Sequence, residues 1–316
     1  MTITAKIDAT TRIPETYRAE VIPVPRSVKI ELTAACDFKC FFCATGQNLR
    51  PKAHMDWLLY TRLAKEIREA GVEELGLFYL GESMLYPMLP DAIRYAKTEC
   101  GFPYVFLTTN GYRATADKLR ACFEAGLDSL KFSFNAADAE QAKTITRVNC
   151  FDAQVQHIWD AHRVRDDVVA KTGHRCGLYA SSIQYDGEQQ ARMEKAVAAI
   201  RPYLDEHYWL PLYSQHTLAN GAIERNGFKA TQGNQGRVGA LRDPLPCWAV
   251  FTEGHITYDG KLSACCFSHT DEFTMADLTV TPFAEAWNSI AFQLLRRKHL
   301  TKDVTRTCCE TCVAYA

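Results

Sequence analysis

Six short runs rich in β-branched and aromatic residues recur along this chain, alternating with longer segments of helical periodicity. The runs occupy residues 28–32, 75–80, 104–108, 129–134, 177–183 and 207–212. Strands that alternate with helices form a parallel sheet, which right-handed crossovers curl into a barrel or an open doubly wound sheet. Six steps are fewer than the eight of a complete barrel. In both arrangements functional residues lie at the carboxyl ends of the strands.

The pattern divides the 316 residues into four segments. Residues 1–27 have no clear period and form a lead-in, and residues 28–215 contain the six strand–helix steps. Residues 216–246 are rich in Gly and Asn and predict a flexible linker. Residues 247–316 predict a small unit with a hairpin over 255–263, turning at Asp259-Gly260, and a helix over 282–300.

Composition limits the class of protein. The formal net charge is −1 and the sequence pI is near 6.7, so no positive field favours nucleic acid. No apolar stretch reaches the ~20 residues of a membrane span, and the first residues lack the apolar core of a signal peptide. We therefore expect a soluble cytoplasmic protein. Thirteen cysteines in a reducing compartment are more often ligands or reactive groups than disulfides.

Three of these cysteines follow the first predicted strand with the spacing Cys-x3-Cys-x2-Cys: Cys36, Cys40 and Cys43. Thiolates hold iron–sulfur clusters, usually four to a cluster, so three ligands imply a distant fourth or an iron left open. The alternative is a zinc knuckle, but no nearby His or Cys completes its ligand set, because no cysteine follows until Cys100.

This motif, with the aromatic Phe42 before the third cysteine, resembles the signature of the radical S-adenosylmethionine (SAM) superfamily. The resemblance implies a partial (β/α)6 TIM-like barrel in an α/β fold, with a small C-terminal domain made of a β-hairpin and a helix. It also implies that Cys36, Cys40 and Cys43 hold a 4Fe-4S cluster. In the family, SAM chelates the open iron and yields a 5'-deoxyadenosyl radical that abstracts hydrogen from substrate.

Further SAM contacts are implied where residues match the family. Gly81 and Glu82 stand where the family has a Gly-Gly-Glu-Pro-like motif that binds the SAM ammonium group. Ser133 resembles the serine that contacts the ribose, and Arg147 resembles the arginine that pairs with the SAM carboxylate. Asn110 belongs to a Thr-Asn-Gly turn typical of the family, although Asn-Gly is also a common turn signal.

A second group of four cysteines, Cys247, Cys265, Cys309 and Cys312, resembles the SPASM or shortened "twitch" auxiliary-cluster domain. The pattern is most similar to the version found in the 2-deoxy-scyllo-inosamine dehydrogenase family. It implies one auxiliary 4Fe-4S cluster with four thiolate ligands. A zinc ribbon is the alternative, because four thiolates suit zinc equally well. Cys266 and Cys308 each adjoin a predicted ligand, so the choice within each pair stays open.

The resemblance implies oxidation of a hydroxylated small molecule, such as a sugar or an aminocyclitol. A flavodoxin- or ferredoxin-type donor would supply the reducing electron, and the auxiliary cluster would accept the electron of the substrate radical. We expect neither a nucleic-acid nor a membrane partner. The linker offers candidate bases that the sequence does not rank: His216, Arg225, Arg237 and Arg242.

Other functions remain open. Redox-neutral epimerisation needs a thiol hydrogen donor, for which Cys266, Cys308 and Cys176 are candidates. Modification of a ribosomal peptide is common among SPASM proteins, but the lead-in is too short for a winged-helix leader-recognition module. A molybdopterin-pathway cyclase resembles the radical half, yet that family usually ends in Gly-Gly. The non-enzyme alternative is a binding protein stapled by zinc at both sites.

Overall fold

The structure is a computed structural model that describes residues 2–47, 50–213, 220–230, 236–267, 270–310 and 312. One continuous sheet of nine strands organises the described residues, in the order β6-β5-β4-β3-β2-β1-β7-β8-β9. The strands are β1 (Ser27–Ile30), β2 (Glu74–Gly76), β3 (Tyr104–Thr109), β4 (Ser129–Ser133), β5 (Gly177–Ile183), β6 (Glu206–Leu210), β7 (Glu253–Ile256), β8 (Lys261–Ser263) and β9 (Thr274–Asp277).

The first six strands form the predicted partial (β/α)6 TIM-like barrel, since every neighbouring pair from β1 to β6 is parallel. Strand β7 adds a seventh parallel strand beside β1, with Val28 opposite Gly254. Strand β7 also forms the first arm of the predicted hairpin, in which β8 pairs antiparallel and Gly260 takes a φ of 82° in the turn. The C-terminal hairpin is therefore joined to the barrel sheet by backbone hydrogen bonds.

Helices cover the sheet and connect its strands. They are α1 (Ile3–Thr11), α2 (Trp57–Glu69), α3 (Leu89–Arg94), α4 (Ala116–Glu124), α5 (Ala139–Thr146), α6 (Phe151–Thr172), α7 (Gly187–Ile200), α8 (Asn220–Arg225), α9 (Phe283–Trp287) and α10 (Ile290–Leu300). Asp56 begins α2 by accepting a hydrogen bond from the Leu59 N–H, and Gly71 follows its end with a φ of 104°. Local signals, the Asp56 cap and the glycine at the end, thus mark both ends of α2.

The lead-in differs from its prediction because residues 3–11 form α1, although the sequence has no clear helical period there. Tertiary contacts stabilise this short helix. Glu206, at the start of β6, accepts hydrogen bonds from the Ile3 N–H and the Thr4 hydroxyl, and Lys6 forms an ion pair with Glu74 at 3.1 Å. Helix α1 therefore spans the amino-terminal end of the barrel.

The single helix predicted over 282–300 is divided into α9 and α10. Ser289 separates them, because its side chain accepts the Phe292 N–H and caps α10. The predicted linker also differs in part, since α8 lies within it. The proposed boundaries at residues 216–246 stay a prediction.

Candidate active site

The loop after β1 brings Cys36, Cys40 and Cys43 to the wall of a cavity of about 200 Å³. This loop is fixed at several points. The Lys39 N–H donates to the Thr146 carbonyl at 2.9 Å, and Asp37 accepts the side-chain amide of Asn110 at 2.8 Å. The three thiols thus face one space at the carboxyl ends of the barrel strands, as the sequence predicted for this loop.

The three thiols influence one another electrostatically. Burial, reinforced by the Glu82 charge, raises the pKa of Cys36 to about 12. Burial is also the main cause that raises the pKa of Cys40, followed by the negative charges of Cys43 and Cys36. Three mutually repelling thiolates need a strong local positive charge, which bound iron supplies. This donor set therefore fits an iron–sulfur cluster.

We find most of the predicted SAM contacts around the same cavity, which Phe42, Gly81, Glu82, Asn110 and Ser133 line. Arg147 does not line it: its side chain is exposed, and its backbone ends α5 in the left-handed region with a φ of 65°. The residues that line the cavity and were not predicted include Thr109, Asn135 and Gln154. Their positions at the end of β3, after β4 and on α6 were the available signal.

Gly81 is placed where no larger residue fits. A Cβ atom there would lie 1.9 Å from the Thr33 carbonyl oxygen and 2.9 Å from the Ala35 carbonyl oxygen. The backbone beside it is anchored to the cysteine loop, because the Glu82 N–H donates to the Ala35 carbonyl at 2.8 Å. The missing side chain therefore lets the loop after β2 pack directly against the loop that carries the thiols.

Glu82 is a buried carboxylate that faces this cavity and is 3% exposed. It accepts hydrogen bonds from the Thr109 hydroxyl at 2.7 Å, the Asn110 N–H at 2.6 Å and the Met84 N–H at 2.9 Å. All three donors are neutral, and burial raises its pKa to about 7. A carboxylate in this setting suits a cationic ligand such as an ammonium group.

The four predicted auxiliary ligands also act on one another. A hydrogen bond with Cys266 and burial raise the pKa of Cys265, and the charges of Cys247 and Cys312 raise it further. A hydrogen bond with Cys308 and burial likewise raise the pKa of Cys309, again with contributions from Cys247 and Cys312. All thirteen cysteines are described, and none forms a disulfide.

The neighbours of the two adjacent cysteines differ. Cys266 lies near Lys29 and Glu253, whereas Cys308 lies near Glu272. The charges of Cys247 and Cys312 raise the pKa of Cys265 and of Cys309, but neither charge is a main cause of the shift at Cys266 or Cys308. This difference supports the choice of Cys265 and Cys309 as ligands, which stays a prediction. In the described ranges, no three His, Cys, Asp or Glu side chains already form a complete site for a single metal ion.

His299 contacts two of the auxiliary cysteines and was not predicted. It accepts the Cys247 N–H on Nδ1 at 3.1 Å, and its Nε2 lies 3.4 Å from Cys309 Sγ. The imidazole is fully buried, and that burial lowers its pKa to about 4. His299 is thus placed to orient ligands from two segments.

A larger cavity of about 370 Å³ lies inside the barrel. Inward-facing residues of β1, β2, β3, β4 and β6 line it, together with α1, Glu253 and Cys266. Phe78, Tyr79 and Thr108 line both this barrel cavity and the cavity of the three thiols. Tyr79 also donates its hydroxyl to the Cys265 carbonyl at 2.5 Å. The barrel cavity therefore adjoins the cavity of the three thiols, and Tyr79 also contacts the backbone of Cys265.

Lys29 and Glu253 form a close ion pair in the barrel cavity, at 2.6 Å. Burial opposes the charge on Glu253, but Lys29 and His255 outweigh it and lower the pKa of Glu253 to about 2. Burial likewise opposes the charge on Lys29, while the Glu253 charge raises the pKa of Lys29. The cavity thus contains both a charged donor and a charged acceptor.

Most of the described candidate bases and hydrogen donors lie away from the barrel cavity. Arg237 pairs with Asp8 of α1 at 2.8 Å, Arg242 donates to the Asp8 carbonyl at 3.4 Å, and Arg225 is exposed at the end of α8. Cys176 is buried in the core. His216 lies outside the described residues. Of the named hydrogen-donor candidates, Cys266 is the one that lines the barrel cavity.

Two known families match this chain. The radical SAM superfamily matches residues 30–171, and the iron–sulfur cluster-binding SPASM domain matches residues 247–313. These matches imply SAM, a 4Fe-4S cluster and auxiliary iron–sulfur binding. No helix in the described ranges has the length and apolar character that crossing a bilayer requires.

Curated proteins with similar sequences include GTP 3',8-cyclases. The enzyme of Chlorobaculum tepidum is 32% identical over 125 residues, which cover 40% of this chain and 37% of the relative. The probable GTP 3',8-cyclase of Metallosphaera sedula is 26% identical over 280 residues, which cover 76% of this chain and 80% of the relative. The chain thus spans less than half the length of the first of these relatives.

Solved structures with the same fold include BtrN in complex with AdoMet and 2-DOIA, and Streptococcus suis SuiB bound to the precursor peptide SuiA. BtrN is 12% identical with a TM-score of 0.55, and the match covers 87% of each chain. SuiB is 13% identical with a TM-score of 0.66, and the match covers 98% of this chain and 72% of SuiB. At these identities the likeness establishes the fold alone.

Proposed function

Because this chain carries a radical SAM domain followed by a SPASM domain, we propose that it oxidises a hydroxylated small molecule, such as a sugar or an aminocyclitol. This substrate class is the one suggested by the resemblance to 2-deoxy-scyllo-inosamine dehydrogenase. The observation that carries the proposal is the barrel cavity, which shares Phe78, Tyr79 and Thr108 with the first thiol site and reaches Cys266 beside the second. A substrate there would lie between the two.

The chain's residues would hold the cofactors as follows. Cys36, Cys40 and Cys43 would bind the first cluster, and Gly81 and Glu82 would receive the SAM ammonium group. The auxiliary cysteines Cys247, Cys265, Cys309 and Cys312 would bind the second cluster. When bound, these groups supply a 5'-deoxyadenosyl radical that removes one hydrogen atom and an acceptor for one electron.

Residues of the barrel cavity would manage the hydroxyl proton. The Lys29 ammonium would donate a hydrogen bond to the substrate oxygen, and the Glu253 carboxylate would accept the proton released as the carbinol becomes a ketone. Both groups line the cavity and are charged, as their pKa shifts indicate. They are better placed than Arg225, Arg237 and Arg242, the linker candidates that the structure describes. Phe78 and Tyr79 would exclude water from the reacting carbon.

The test is an anaerobic assay of the reconstituted protein with SAM, a reductant and a panel of polyols deuterated at their carbinol positions. A flavodoxin- or ferredoxin-type protein is the reductant we propose for the cell. Oxidation predicts a product two hydrogens lighter than its substrate and 5'-deoxyadenosine that contains the deuterium. If SAM is cleaved but every polyol is recovered with an unchanged mass, the dehydrogenase assignment fails.

Epimerisation is a second candidate, because Cys266 lines the barrel cavity and could return a hydrogen atom. In deuterated water an epimerase would give a product of inverted configuration that contains one solvent deuterium. The Cys266→Ala variant would cleave SAM without forming that product. A product that is two hydrogens lighter and free of solvent deuterium would exclude this candidate.

Cyclisation of GTP is a third candidate, supported by the similarity to GTP 3',8-cyclases. The same assay tests it with GTP as the sole substrate. A new isomer of GTP, formed in proportion to 5'-deoxyadenosine, would favour this candidate over polyol oxidation. Unchanged GTP in the presence of active SAM cleavage would exclude it.

A further inference from the structure

Lys131 occupies an inward position of β4, halfway along the barrel. Side chains alternate along a strand, so Ser129, Lys131 and Ser133 share one face. Ser129 and Lys131 line the barrel cavity, whereas Ser133 lines the cavity of the three thiols. The side chain of Lys131 is thus directed into the proposed substrate space, one inward position from the predicted SAM contact Ser133.

The charges along the barrel cavity are unequal. Three lysines and two glutamates line it among the described residues. Lys6 pairs with Glu74 at 3.1 Å, and Lys29 pairs with Glu253 at 2.6 Å. The structure gives Lys131 neither an ion pair nor a side-chain hydrogen bond, and every Asp and Glu of the chain lies in the described ranges. One positive charge in the cavity is therefore left without a carboxylate.

The surroundings of Lys131 suit an anionic ligand. Its ammonium group lies 5.8 Å from the centre of the Tyr208 ring, a contact that leaves its three N–H donors available. Thr108, its register partner on β3, also lines the cavity and adds a hydroxyl donor. Charge-assisted hydrogen bonds from such donors to a carboxylate or a phosphate are among the stronger polar contacts.

Lys131 and the Lys29–Glu253 ion pair lie on strands that are well separated in the sheet. Lys131 is on β4, whereas Lys29 and Glu253 are on the neighbouring strands β1 and β7, with β2 and β3 in between. In a curled sheet these strands form different walls of the cavity. A ligand of the size that a 370 Å³ cavity admits could contact both walls at once.

We propose that the substrate carries an anionic group, a carboxylate or a phosphate, that binds Lys131 and Thr108 while its hydroxyl faces Lys29 and Glu253. This inference rests on the proposed function, because it assigns the substrate class of the same cavity. Lys131 is then a specificity-determining residue: it selects charged hydroxylated molecules over neutral ones of similar shape. A purely structural cation beside Tyr208 would have no such preference.

Lysine acetylation tests the proposal without any need for turnover. The protein with both clusters in place is treated anaerobically with acetic anhydride, and acetylation at each lysine is followed by peptide mass spectrometry. Inorganic phosphate and D-glucuronate are the anionic probes, and D-glucose is the neutral match for glucuronate. Lys195, exposed on α7, is the internal control.

We expect phosphate, glucuronate or both to slow acetylation of Lys131 in a saturable manner, while glucose has no effect and Lys195 is unchanged. Protection by phosphate alone would indicate a phosphorylated substrate, and protection by glucuronate alone a carboxylate. The Kd of the protecting anion, followed by quenching of protein fluorescence, should rise roughly 10- to 100-fold in Lys131→Met. It should rise less in Lys131→Arg and stay unchanged in Lys195→Met.

Two results would overturn the proposal: no protection of Lys131 by either anion, or equal protection by glucose. Failure of the proposed function would give a different result: no polyol would be oxidised, whether or not Lys131 binds an anion. If an anionic hydroxylated substrate is oxidised with the same kcat/KM by wild type and Lys131→Met, the oxidation stands and the role of Lys131 in binding the anion is excluded.

Discussion

At the scale of single residues, Gly81 determines how closely the loop after β2 can approach the thiol loop. Gly81→Ala would place a methyl group 1.9 Å from the Thr33 carbonyl oxygen, so one of the two loops must move. We expect a loss of stability of about 1–3 kcal/mol and at least ~10-fold weaker SAM binding. Equilibrium binding of SAM to the cluster-loaded variant measures the second effect.

Gly221→Ala is a matched control for this substitution. Gly221 lies within α8, where an added Cβ would meet only the flexible end of Arg225 at 3.4 Å. Because alanine is the better helix former, this variant should bind SAM normally and be as stable as wild type or more so. If Gly81→Ala also bound SAM normally, the close approach of the loops would have no bearing on the cofactor.

Glu82 gives SAM binding a pH dependence of predictable sign. Its folded-state pKa of about 7 lies above the ordinary 4.5, so the ligand-free carboxyl is protonated below pH 7. An ammonium ligand needs the carboxylate, so binding releases a proton in that range. The Kd for SAM should rise by up to tenfold for each pH unit below 7 and level off above it.

Glu82→Gln tests this assignment, because the amide cannot ionise. The variant should bind SAM more weakly at pH 8, and its affinity should change less between pH 6 and pH 8. Parallel pH profiles of wild type and variant would contradict a role for Glu82 in binding the ammonium group.

At the scale of elements, one buried carboxylate joins three segments of the site. Glu31 follows β1 and is 1% exposed. Its oxygens accept two N–H groups of Arg50, the Gly81 N–H at 3.2 Å and the Tyr258 N–H at 3.2 Å. The loop after β2 and the hairpin turn before the predicted ligand Cys265 are thereby fixed to the same side chain.

Glu31→Gln should therefore destabilise the protein by about 3–5 kcal/mol, because it leaves the Arg50 charge unpaired and directs an amide N–H towards other donors. Urea unfolding measures the change. Glu20→Gln is the control: Glu20 also binds an arginine through both oxygens, but this pair with Arg297 is largely exposed. Glu20→Gln should lower the free energy of unfolding by too little to measure. A similar decrease in both variants would contradict the assigned role of Glu31.

The sequence predicted some of these elements closely and missed others. Strand patterns predicted β3 and β5 closely, because β-branched and aromatic runs bounded by helices have few alternatives. Helix α1 escaped prediction because its stability comes from Glu206 and Glu74, which are distant in sequence. The break between α9 and α10 did have a local signal, Ser289, but the apolar periodicity on either side concealed it.

The candidate site was likewise predictable only in part from the sequence. Spacing identified the cysteines, and their place after a strand indicated the cavity. Spacing could not identify Lys29, Lys131 or Glu253, because a single charged residue in a strand has the same local pattern whether it faces solvent or the barrel. The role of His299 was also hidden, since its contacts with Cys247 and Cys309 depend on three segments that meet only in the folded chain.

At the scale of the whole molecule, iron content tests the assignment of the two thiol sets. The reconstituted wild type should hold about eight iron atoms per chain, and the joint alanine substitution of Cys36, Cys40 and Cys43 about four. Cys265→Ala should lose the auxiliary cluster. Cys266→Ala, its matched neighbour, should keep both clusters. Equal losses from the last two variants would contradict the choice of Cys265, and stoichiometric zinc without iron would exclude radical chemistry.

The central claim is that the thiol set beside Gly81 and Glu82 activates SAM, while the auxiliary set acts on the electron that leaves the substrate. The most direct measurement is anaerobic formation of 5'-deoxyadenosine from SAM by the reduced, cluster-loaded protein. We predict formation by wild type and by Cys265→Ala, and none by Cys36→Ala. Absence of 5'-deoxyadenosine from fully loaded wild type, or equal amounts from Cys36→Ala, would contradict the account.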